Sequence, residues 1–429
     1  MSSQISEKCE IVIVGAGLAG YAAAIALAGT GADIVLLDRA SKVSEDVSTT
    51  DPRTTALSPS SFKMLTCLDI VAALHEDPKP IAAMKITEAA SVTKWPGGGL
   101  DFEAANNATN GAEDGDEALA YMVRNHDLLA AFEKVSQSLP NLSIRKGQSV
   151  TDAVQTSQGM RLTVNGDEML CDLVVACDGR QSLVRDFLGI RMINRDYHRA
   201  ALVTDFSHSL PHNNIARQIF RTDGPLACLP LGQNADGEYV SSLVWVEKTK
   251  TAKNLAALSP ERFAHALSEQ LDGALGDIGV LHAPHCFALS LILAENYAAP
   301  HAVLLGDAAH VIHPLAGQGY NLTLRDAAIL AEHVFEAKRL GLKACDMSVT
   351  ETYELNRRAD AFAMASLTDG LHRLFGASFL PLSWARHVGM GLLNNALPKS
   401  VEGAAQRYAD RGVSQPPRLL RGTKLDATP

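Results

Sequence analysis

Residues 11–38 read IVIVGAGLAGYAAAIALAGTGADIVLLD, and this stretch decides the fold. Its first four residues are β-branched and apolar, which is typical of a strand that helices cover on both sides of a parallel sheet. An alanine-rich helix follows and closes at Gly31, and a second buried strand occupies 34–37. The stretch is a complete βαβ unit, and it predicts an α/β fold with a Rossmann-like, doubly wound sheet.

A glycine pattern, G-x-G-x-x-G at Gly15, Gly17 and Gly20, occupies the turn between that strand and the helix. The first glycine permits the tight turn, the second lets the backbone approach a pyrophosphate, and the third lets helix and strand pack closely. Asp38 ends the second strand, where a carboxylate can accept a hydrogen bond from a ribose hydroxyl. The unit therefore predicts dinucleotide binding. The alternatives are an ordinary glycine-rich turn, and Asp38 as a solvated turn residue beside Arg39.

The rest of the chain is predicted to alternate between this sheet and a second one. Further strands at 141–145, 160–164, 170–177 and 302–305, with helices at 126–139 and 320–339, belong to the first sheet. Short runs at 200–206, 216–221, 226–231 and 239–246, separated by Pro, Gly and Asn turns, predict an inserted, mainly antiparallel β domain. Loops are expected at 95–99 and at the acidic run 106–117.

These assignments divide the chain into four parts. We expect a discontinuous dinucleotide-binding domain over 1–77, 118–192 and 297–345, a substrate domain over 78–117 and 193–296, a C-terminal helical region over 346–410, and a flexible tail over 411–429.

Composition and charge exclude several classes of function. The 429 residues carry 38 Lys and Arg against 48 Asp and Glu, a net charge of −10, which argues against nucleic acid as a partner. The seven cysteines form no C-x-x-C pair, and no secretory signal precedes the first strand, so we expect a reducing, cytoplasmic location. No clean apolar span and no G-x-S-x-G elbow occur, which argues against an integral membrane protein and a serine hydrolase.

Three separated segments share one design, a buried strand that ends at an aspartate: 34–38, 174–179 and 303–307. Ligands in open α/β sheets bind at the carboxyl ends of the strands, so we expect the three loops to meet in one crevice. The glycine loop, DGRQSLVR at 178–185 and GDAAHVIHPLAGQG at 306–319 together resemble the fingerprints of single-component FAD-dependent aromatic hydroxylases. More finely, RTTALS at 53–58, QGYNLTLRD at 318–326 and DGLHRLF at 369–375 resemble the ubiquinone-biosynthesis hydroxylases of that class. The resemblance covers residues 8 to about 410.

The resemblance implies a role for residues in each of these motifs. The loop Gly15, Gly17, Leu18, Ala19 and Gly20 would cradle the FAD pyrophosphate, Asp38 with Arg39 would hold the adenosine ribose, and Gly306-Asp307 would hold the ribityl chain. Backbone N–H groups of Gly317, Gln318, Gly319, Tyr320 and Asn321 would meet the flavin pyrimidine edge, at a helix start that stabilises negative charge. Arg53 and Asn125 would approach the flavin, Asp178 would lie near the pyrophosphate, and Pro314, Gln318 and Arg53 would be catalytic. Arg185 either belongs to the site or forms a structural ion pair with Asp178.

The resemblance further implies the reaction: NAD(P)H reduces FAD, O₂ gives a flavin C4a-hydroperoxide, and an electron-rich phenolic ring is hydroxylated. The implied substrate is a polyprenylated phenol of ubiquinone biosynthesis. The implied partners are the inner face of the membrane, at its surface, or a ubiquinone-biosynthesis complex. Residues 371–387 have the mixture of aromatic and cationic side chains that suits the membrane contact. The alternative is that these residues form a pair of helices in the core. Two alternative functions stay open. The protein hydroxylates a different, soluble aromatic compound, or it is a flavin-binding accessory subunit of a biosynthetic complex.

Some residues depart from the family pattern or allow another interpretation. Asp38 stands where Glu is more frequent, Thr323 where Gly is frequent, and Arg124 where Glu is common, so the exact substrate and ring position stay open. Asp307, His310 and His313 are metal-binding residue types, but Pro314 and the glycines after it suit a flavin loop better, so no metal is expected.

Overall fold

A computed structural model describes residues 7–41, 51–88, 99–103, 118–313, 317–376, 408, 410, 412 and 415–425, with side chains at all of these except 88, 99–103 and 371–376. The strands are β1 (Glu7–Val14), β2 (Ile34–Asp38), β3 (Thr54–Leu57), β4 (Lys79–Ile81), β5 (Ala83–Glu88), β6 (Gly99–Glu103), β7 (Ala120–Arg124), β8 (Leu142–Lys146), β9 (Val150–Thr156), β10 (Gly159–Val164), β11 (Asp167–Ala176), β12 (Met192–His208), β13 (Ile215–Phe220), β14 (Leu226–Gln233), β15 (Tyr239–Lys248), β16 (Ile278–Val280), β17 (His285–Ala294), β18 (Ala298–Ala299), β19 (Ala302–Leu304) and β20 (His310–Val311). The α-helices are α1 (Leu18–Ala28), α2 (Pro59–Cys67), α3 (Asn125–Ser136), α4 (Leu183–Phe187), α5 (Thr249–Ala256), α6 (Pro260–Leu271), α7 (Gln318–Arg339) and α8 (Met347–Gly376).

The first sheet confirms the predicted βαβ unit and its parallel arrangement. Its described strands follow the order β18-β19-β11-β1-β2-β8, and all neighbours from β19 to β8 are parallel. Helix α1 is buried along its length because small alanine side chains let it lie flat between the sheet and α7. Parallel strands end at a common edge, so the loops after β1, β11 and β19 lie side by side.

The second sheet confirms the inserted, mainly antiparallel domain. Its described strands follow the order β20-β17-β12-β15-β14-β13-β5-β6, with β16 beside β12, and the one parallel neighbour pair is β13 with β5. One side of the sheet packs on α5 and α6, where Leu202 and Phe206 meet Phe263 and Leu267. A small sheet of order β3-β7-β4 covers part of the other side. Strand β17, which the sequence analysis missed, pairs with β12 over ten positions.

The C-terminal segment corrects one prediction. Residues 411–429 were expected to be a flexible tail, but within this segment Leu419 and Leu420 are buried against the first domain. Arg418 donates to Glu336 at 2.6 Å, and its backbone N–H donates to Glu332. The two leucines bury apolar area that a mobile tail would leave in water. The domain limits themselves stay a prediction.

Several predicted features fall outside the described residues: the acidic run 106–117, most of the loop at 95–99, Pro314, and the helical region from 377 to 407. Within the described ranges, no helix is both long and apolar enough to cross a membrane. The seven cysteines are all free thiols.

Candidate active site

The glycine-rich loop after β1 has the geometry that its three glycines predict. Gly15 has a φ of +103°, and a Cβ there would lie 2.5 Å from the carbonyl oxygen of Cys177. A Cβ on Gly20 would lie 1.7 Å from the carbonyl oxygen of Gly15, so α1 can pack this close only with glycine. A Cβ on Gly17 would meet no described atom within 4 Å. The space beside Gly17 is therefore open to a ligand at the positive end of α1.

The carboxylate of Asp38 holds this loop in place. Its Oδ2 accepts a hydrogen bond from the backbone N–H of Ala16 at 2.6 Å, and its Oδ1 accepts one from Ala40 at 2.7 Å. Carboxylate oxygens have lone pairs for further donors, so Asp38 can still accept a ribose hydroxyl. Arg39 is exposed beside it.

The loop after β11 packs directly against the glycine loop. A Cβ on Gly15 would lie 2.9 Å from the Cα of Asp178. Oδ2 of Asp178 accepts from the backbone N–H of Val184 at 3.2 Å, whereas its buried Oδ1 has no hydrogen-bond partner among the described residues. A buried acceptor without a donor is costly, so the site is incomplete here without a further donor.

Arg185 does not form the ion pair with Asp178 that was one of its two predicted roles. Its Nη1 donates to the carbonyl oxygen of Ala308 at 3.0 Å, and its Nη2 donates to that of Arg180 at 3.2 Å. The side chain is 1% exposed. Arg185 therefore ties the loop after β11 to the loop after β19 and does not face a ligand.

The loop after β19 completes the crevice. Gly306 has a φ of +63°, and a Cβ there would lie 3.2 Å from the Cβ of Ala19, so this loop lies against the first turn of α1. Asp307 opens into the crevice, whose walls desolvate its carboxyl group and raise its pKa, while the charges of His310, Arg180 and Arg53 act in the opposite direction. The crevice therefore brings Asp307 and Arg53 within electrostatic reach of each other.

A buried aspartate, Asp326, holds the loop after β19 in position. Oδ2 of Asp326 accepts from the backbone N–H of Gly306 at 3.0 Å and contacts Nε2 of His310 at 2.6 Å. Its Oδ1 accepts from Nε of Arg357 on α8 at 2.6 Å. The C-terminal helix thus reaches the third loop through two side chains.

Further buried charges continue this contact. Asp360 accepts from Arg357 at 2.8 Å and from Arg325 at 3.1 Å. We call His310, Arg325, Asp326, Arg357 and Asp360 the charge cluster; each side chain is at most 3% exposed. Desolvation raises the pKa of Asp326, but the charges and hydrogen bonds of His310 and Arg357 outweigh it and lower that pKa overall. His310 is therefore tied into this buried cluster of charges.

The start of α7 lies against β3. Gly317 precedes the helix with a φ of +64°, and a Cβ there would lie 3.3 Å from the Cβ of Ala56. Gln318, Gly319 and Tyr320 form the first turn, whose backbone N–H groups have no intrahelical partner. These donors make the helix start a site for an anionic or carbonyl oxygen.

The side chains of two predicted site residues at this helix start are used by the fold. Asn321 accepts from the backbone N–H of Ser58 and donates to the carbonyl oxygen of Ala56, both at 2.9 Å. The Tyr320 hydroxyl donates to the carbonyl oxygen of Leu18 at 3.1 Å. Only their backbone groups can therefore serve a ligand, which is the role that the sequence analysis assigned.

Arg53 lies between the crevice and the second sheet. Its guanidinium donates to both oxygens of Asp51, with Nη2 to Oδ2 at 2.7 Å, and lies 5.4 Å from the ring centre of Phe287. The hydrogen bond to Asp51 raises the pKa of Arg53, and the charge of Asp307 adds to this effect. Asn125 supports the backbone here, since its N–H donates to the carbonyl oxygen of Arg53 at 3.0 Å. Asp51 and Phe287 were missed because nothing local in the sequence marks them.

The side of the second sheet that faces β3 and β7 is mostly apolar, and we call it the cleft side. Alternation along the strands puts Ala201, Val203, Val244 and Val246 on it, and Phe287 packs with them. The Arg53 guanidinium lies over the same Phe287 ring. The crevice and an apolar wall therefore meet at Arg53.

Two polar residues of the cleft side pair with the small sheet. Asp205, 1% exposed, forms an ion pair with Arg124 of β7. Ser242 accepts from the Thr54 hydroxyl at 3.1 Å. Arg124, one of the departures from the family pattern, is thus used in a contact between β7 and β12. The cavity beside it, about 10 Å³, has room for a water molecule and none for a ring.

These features fit a dinucleotide cofactor. The open space at Gly17, the unsatisfied oxygen of Asp178 and the backbone N–H groups at the start of α7 surround one crevice. They offer donors and acceptors to phosphate, hydroxyl and carbonyl groups. In the described part of the chain, no three His, Cys, Asp or Glu residues converge in a metal-binding arrangement.

Comparison with known proteins agrees with this geometry. The family profile described as "FAD binding domain" matches residues 8–368. A ubiquinone hydroxylase, UbiL, of Rhodospirillum rubrum is 31% identical over 99% of this chain and 95% of its own length. The 3-demethoxyubiquinol 3-hydroxylase of Escherichia coli is 29% identical over 90% of this chain and 94% of its own.

Solved structures share the fold. The crystal structure of p-nitrophenol 4-monooxygenase PnpA of Pseudomonas putida superposes with a TM-score of 0.74 at 18% sequence identity, covering 94% of this chain and 98% of that one. The profile match spans most of the chain and the relatives match over nearly their full lengths. The chain therefore belongs to the family of FAD-dependent monooxygenases that share this FAD-binding domain.

Proposed function

We propose that the protein hydroxylates the aromatic ring of a polyprenylated phenol in ubiquinone biosynthesis, with NAD(P)H and O₂ as co-substrates. The observation that carries the proposal is the apolar cleft side next to the crevice, with Val203, Val244 and Phe287 on it. Arg53 and Arg124, two described cations beside it, are both paired with carboxylates, and an apolar wall suits an uncharged ring better than a benzoate. The names of the two full-length relatives support the same substrate class.

We propose that the crevice holds FAD in one extended pose. The N–H groups around Gly17 would bind the pyrophosphate, Asp38 the adenosine ribose, and Asp307 the ribityl chain. The first turn of α7 would receive the pyrimidine edge of the flavin. Bound FAD supplies the chemistry that carries electrons from NAD(P)H to oxygen and one oxygen atom to the ring.

The chain's own groups would hold charge and exclude water. The positive end of α7 and the Arg53 guanidinium would both stabilise negative charge at the ring edge that they face. The apolar cleft side would keep water from the reacting centre. Gln318 and Arg53 are the proposed catalytic residues that the structure describes. Pro314, the third, lies outside the described residues, and its role stays a prediction.

The polyprenyl tail decides where we expect the enzyme to act. Such a tail is dissolved in the bilayer, so we propose a cytoplasmic enzyme that meets its substrate at the inner face of the membrane, alone or within a ubiquinone-biosynthesis complex. The side chains of residues 371–387, the segment predicted to contact the membrane, lie outside the described part of the chain.

The test is oxidation of NADH and of NADPH by the FAD-loaded protein, with and without a prenylated phenol, while hydroxylated product and hydrogen peroxide are both measured. We expect the phenol to accelerate oxidation and to give product, and 4-hydroxybenzoate to have little effect. If only soluble aromatics accelerate NAD(P)H oxidation, the substrate is a soluble aromatic and not a prenylated phenol. Tight FAD binding without stimulation by any aromatic would favour an accessory subunit.

A further inference from the structure

One buried polar side chain on the cleft side has no partner. Gln218, on β13, is 7% exposed, and its amide forms no hydrogen bond with any other part of the chain that the structure describes. Neither amide atom is completely buried, so both keep some accessible surface. The amide is therefore unpaired among the described residues and still within reach of a ligand.

The strand register shows which side of the sheet Gln218 faces. Ala216, two residues earlier and on the same side, packs in one cluster with Ala56 of β3 and Met122 of β7. Gln218 therefore belongs to the cleft side, which faces the small sheet and Arg53. It is not on the side that α5 and α6 cover.

On its β14 side, Gln218 adjoins a row of small apolar side chains that crosses the sheet. It lies opposite Ala227, which lies opposite Val244, which lies opposite Val203. Neighbouring strands are about 4.8 Å apart, so the row extends some 14 Å from Gln218 to Val203. An aromatic ring that lies flat on the alanine and valines can direct a substituent at Gln218.

Three other polar side chains on this side each have a described partner, although Oδ1 of Asp205 is buried without one. Asp205 is paired with Arg124, Ser242 accepts from Thr54, and Ser207 donates to the carbonyl oxygen of Gly279. Among the described residues in the middle of the cleft side, Gln218 thus offers the amide that a ligand can use.

We propose that Gln218 binds the ring hydroxyl of the substrate and so sets which ring carbon faces the flavin. Its Oε1 can accept from a phenol O–H, and its Nε2 can donate to the same oxygen once the proton has left, so one residue serves both protonation states. An uncharged amide also adds no charge that would attract a benzoate. This inference rests on the proposed function, since it assumes a phenolic substrate.

The test compares two ligands that differ in one hydrogen-bond donor: 2-geranylphenol and its methyl ether, 2-geranylanisole. Their binding to the FAD-loaded protein is measured by the change in flavin absorbance on titration. We expect the wild type to bind the phenol about tenfold more tightly than the ether. Gln218→Met, which keeps the length of the side chain and removes its hydrogen-bonding groups, should lower this ratio to below about twofold, mainly by weakening phenol binding.

Two further variants keep the test decisive. Gln155→Met changes an exposed glutamine on β9 and should keep the wild-type ratio. Gln218→Ala should lose discrimination as Gln218→Met does, so a folding defect in one variant does not decide the result. FAD content should be unchanged in all three.

The outcomes separate this inference from the proposed function. A wild type that binds both compounds equally, or a Gln218→Met protein that keeps the tenfold ratio, would overturn the role of Gln218 and leave the hydroxylase proposal intact. A wild type that binds neither prenylated compound would overturn both.

Discussion

At the scale of single residues, Gly17 and Gly20 show the same residue type used for two different purposes. Gly20 is required by the fold, because the carbonyl oxygen of Gly15 occupies the place where its Cβ would be. Gly17 has free space instead, and its φ of −83° suits any residue. Among the described residues nothing else requires glycine at position 17, so its role is the close approach of a ligand.

The two alanine variants should separate these purposes. Gly20→Ala forces α1 away from β1 and should destabilise the apoprotein by about 3 kcal/mol or more. Gly17→Ala should change the apoprotein's stability by less than about 1 kcal/mol, yet weaken FAD binding at least tenfold, because its methyl group fills the ligand's space. Thermal unfolding without FAD and quenching of FAD fluorescence on titration measure the two effects. Normal FAD binding by Gly17→Ala would argue against a pyrophosphate at this loop.

At the scale of elements, the charge cluster joins α8 to the loop that would hold the ribityl chain. Asp326 contacts Gly306 and His310 of that loop, and Arg357 carries the contact to α8. Breaking a buried pair by removing one partner costs far more than the pair contributes, since it leaves a charge without compensation. The loop position therefore depends on a helix that begins 40 residues after it.

Arg357→Met should cost about 3–5 kcal/mol of unfolding free energy and weaken FAD binding, because Asp326 and Asp360 both lose a counter-charge. Its control is Arg358→Met, the next residue on α8, which is 56% exposed and paired with Glu354 at 3.5 Å. That exposed pair should contribute less than about 0.5 kcal/mol. Urea unfolding of both variants at pH 7 compares them. Equal stabilities would mean that the cluster does not hold the loop.

The same cluster predicts a direction for acid unfolding. The pKa of Asp326 is lower in the folded protein than the ordinary value of about 3.9, so the unfolded chain binds the proton more readily. The stability that this group adds is present above that ordinary value and is lost as the pH falls through the folded pKa. Arg357→Met removes a cause of the lowering, so its acid midpoint, followed by circular dichroism, should move to higher pH.

At the scale of the whole molecule, local signals in the sequence were sufficient for the elements and insufficient for their distant contacts. The strands around residues 11–38 were predictable because apolar runs and glycine spacing are local patterns. The parallel pairing of β13 with β5 joins segments more than 100 residues apart, and nothing in either strand indicates its partner. Leu419 and Leu420 give no periodic signal within a Pro- and Arg-rich segment, although they are buried.

The candidate site also contains some features that the sequence predicts and others that it does not. The three loops and the start of α7 were predictable, because each carries glycine or aspartate at a strand or helix end. Asp326 and Arg357 are 31 residues apart on two helices, and only the packing of those helices makes them a pair. Gln218 could not be identified from the sequence either, since what distinguishes it is the lack of a partner in the fold.

The ion pair of Arg124 with Asp205 is the clearest buried charge contact between the small sheet and the second sheet, and it gives a prediction for the whole molecule. Asp205 is 1% exposed and Arg124 is 25% exposed, so removing the arginine leaves a buried carboxylate without compensation. Arg124→Met should cost about 3–5 kcal/mol of unfolding free energy, whereas the double variant Arg124→Met/Asp205→Leu should recover most of it, because an apolar pair needs no counter-charge. Arg191→Met is the control, since Arg191 is 83% exposed beside Glu295. Urea unfolding of the wild type, Arg124→Met, Asp205→Leu and the double variant completes the cycle, and additive costs for Arg124 and Asp205 would show that the two sheets are held together by their apolar contacts alone.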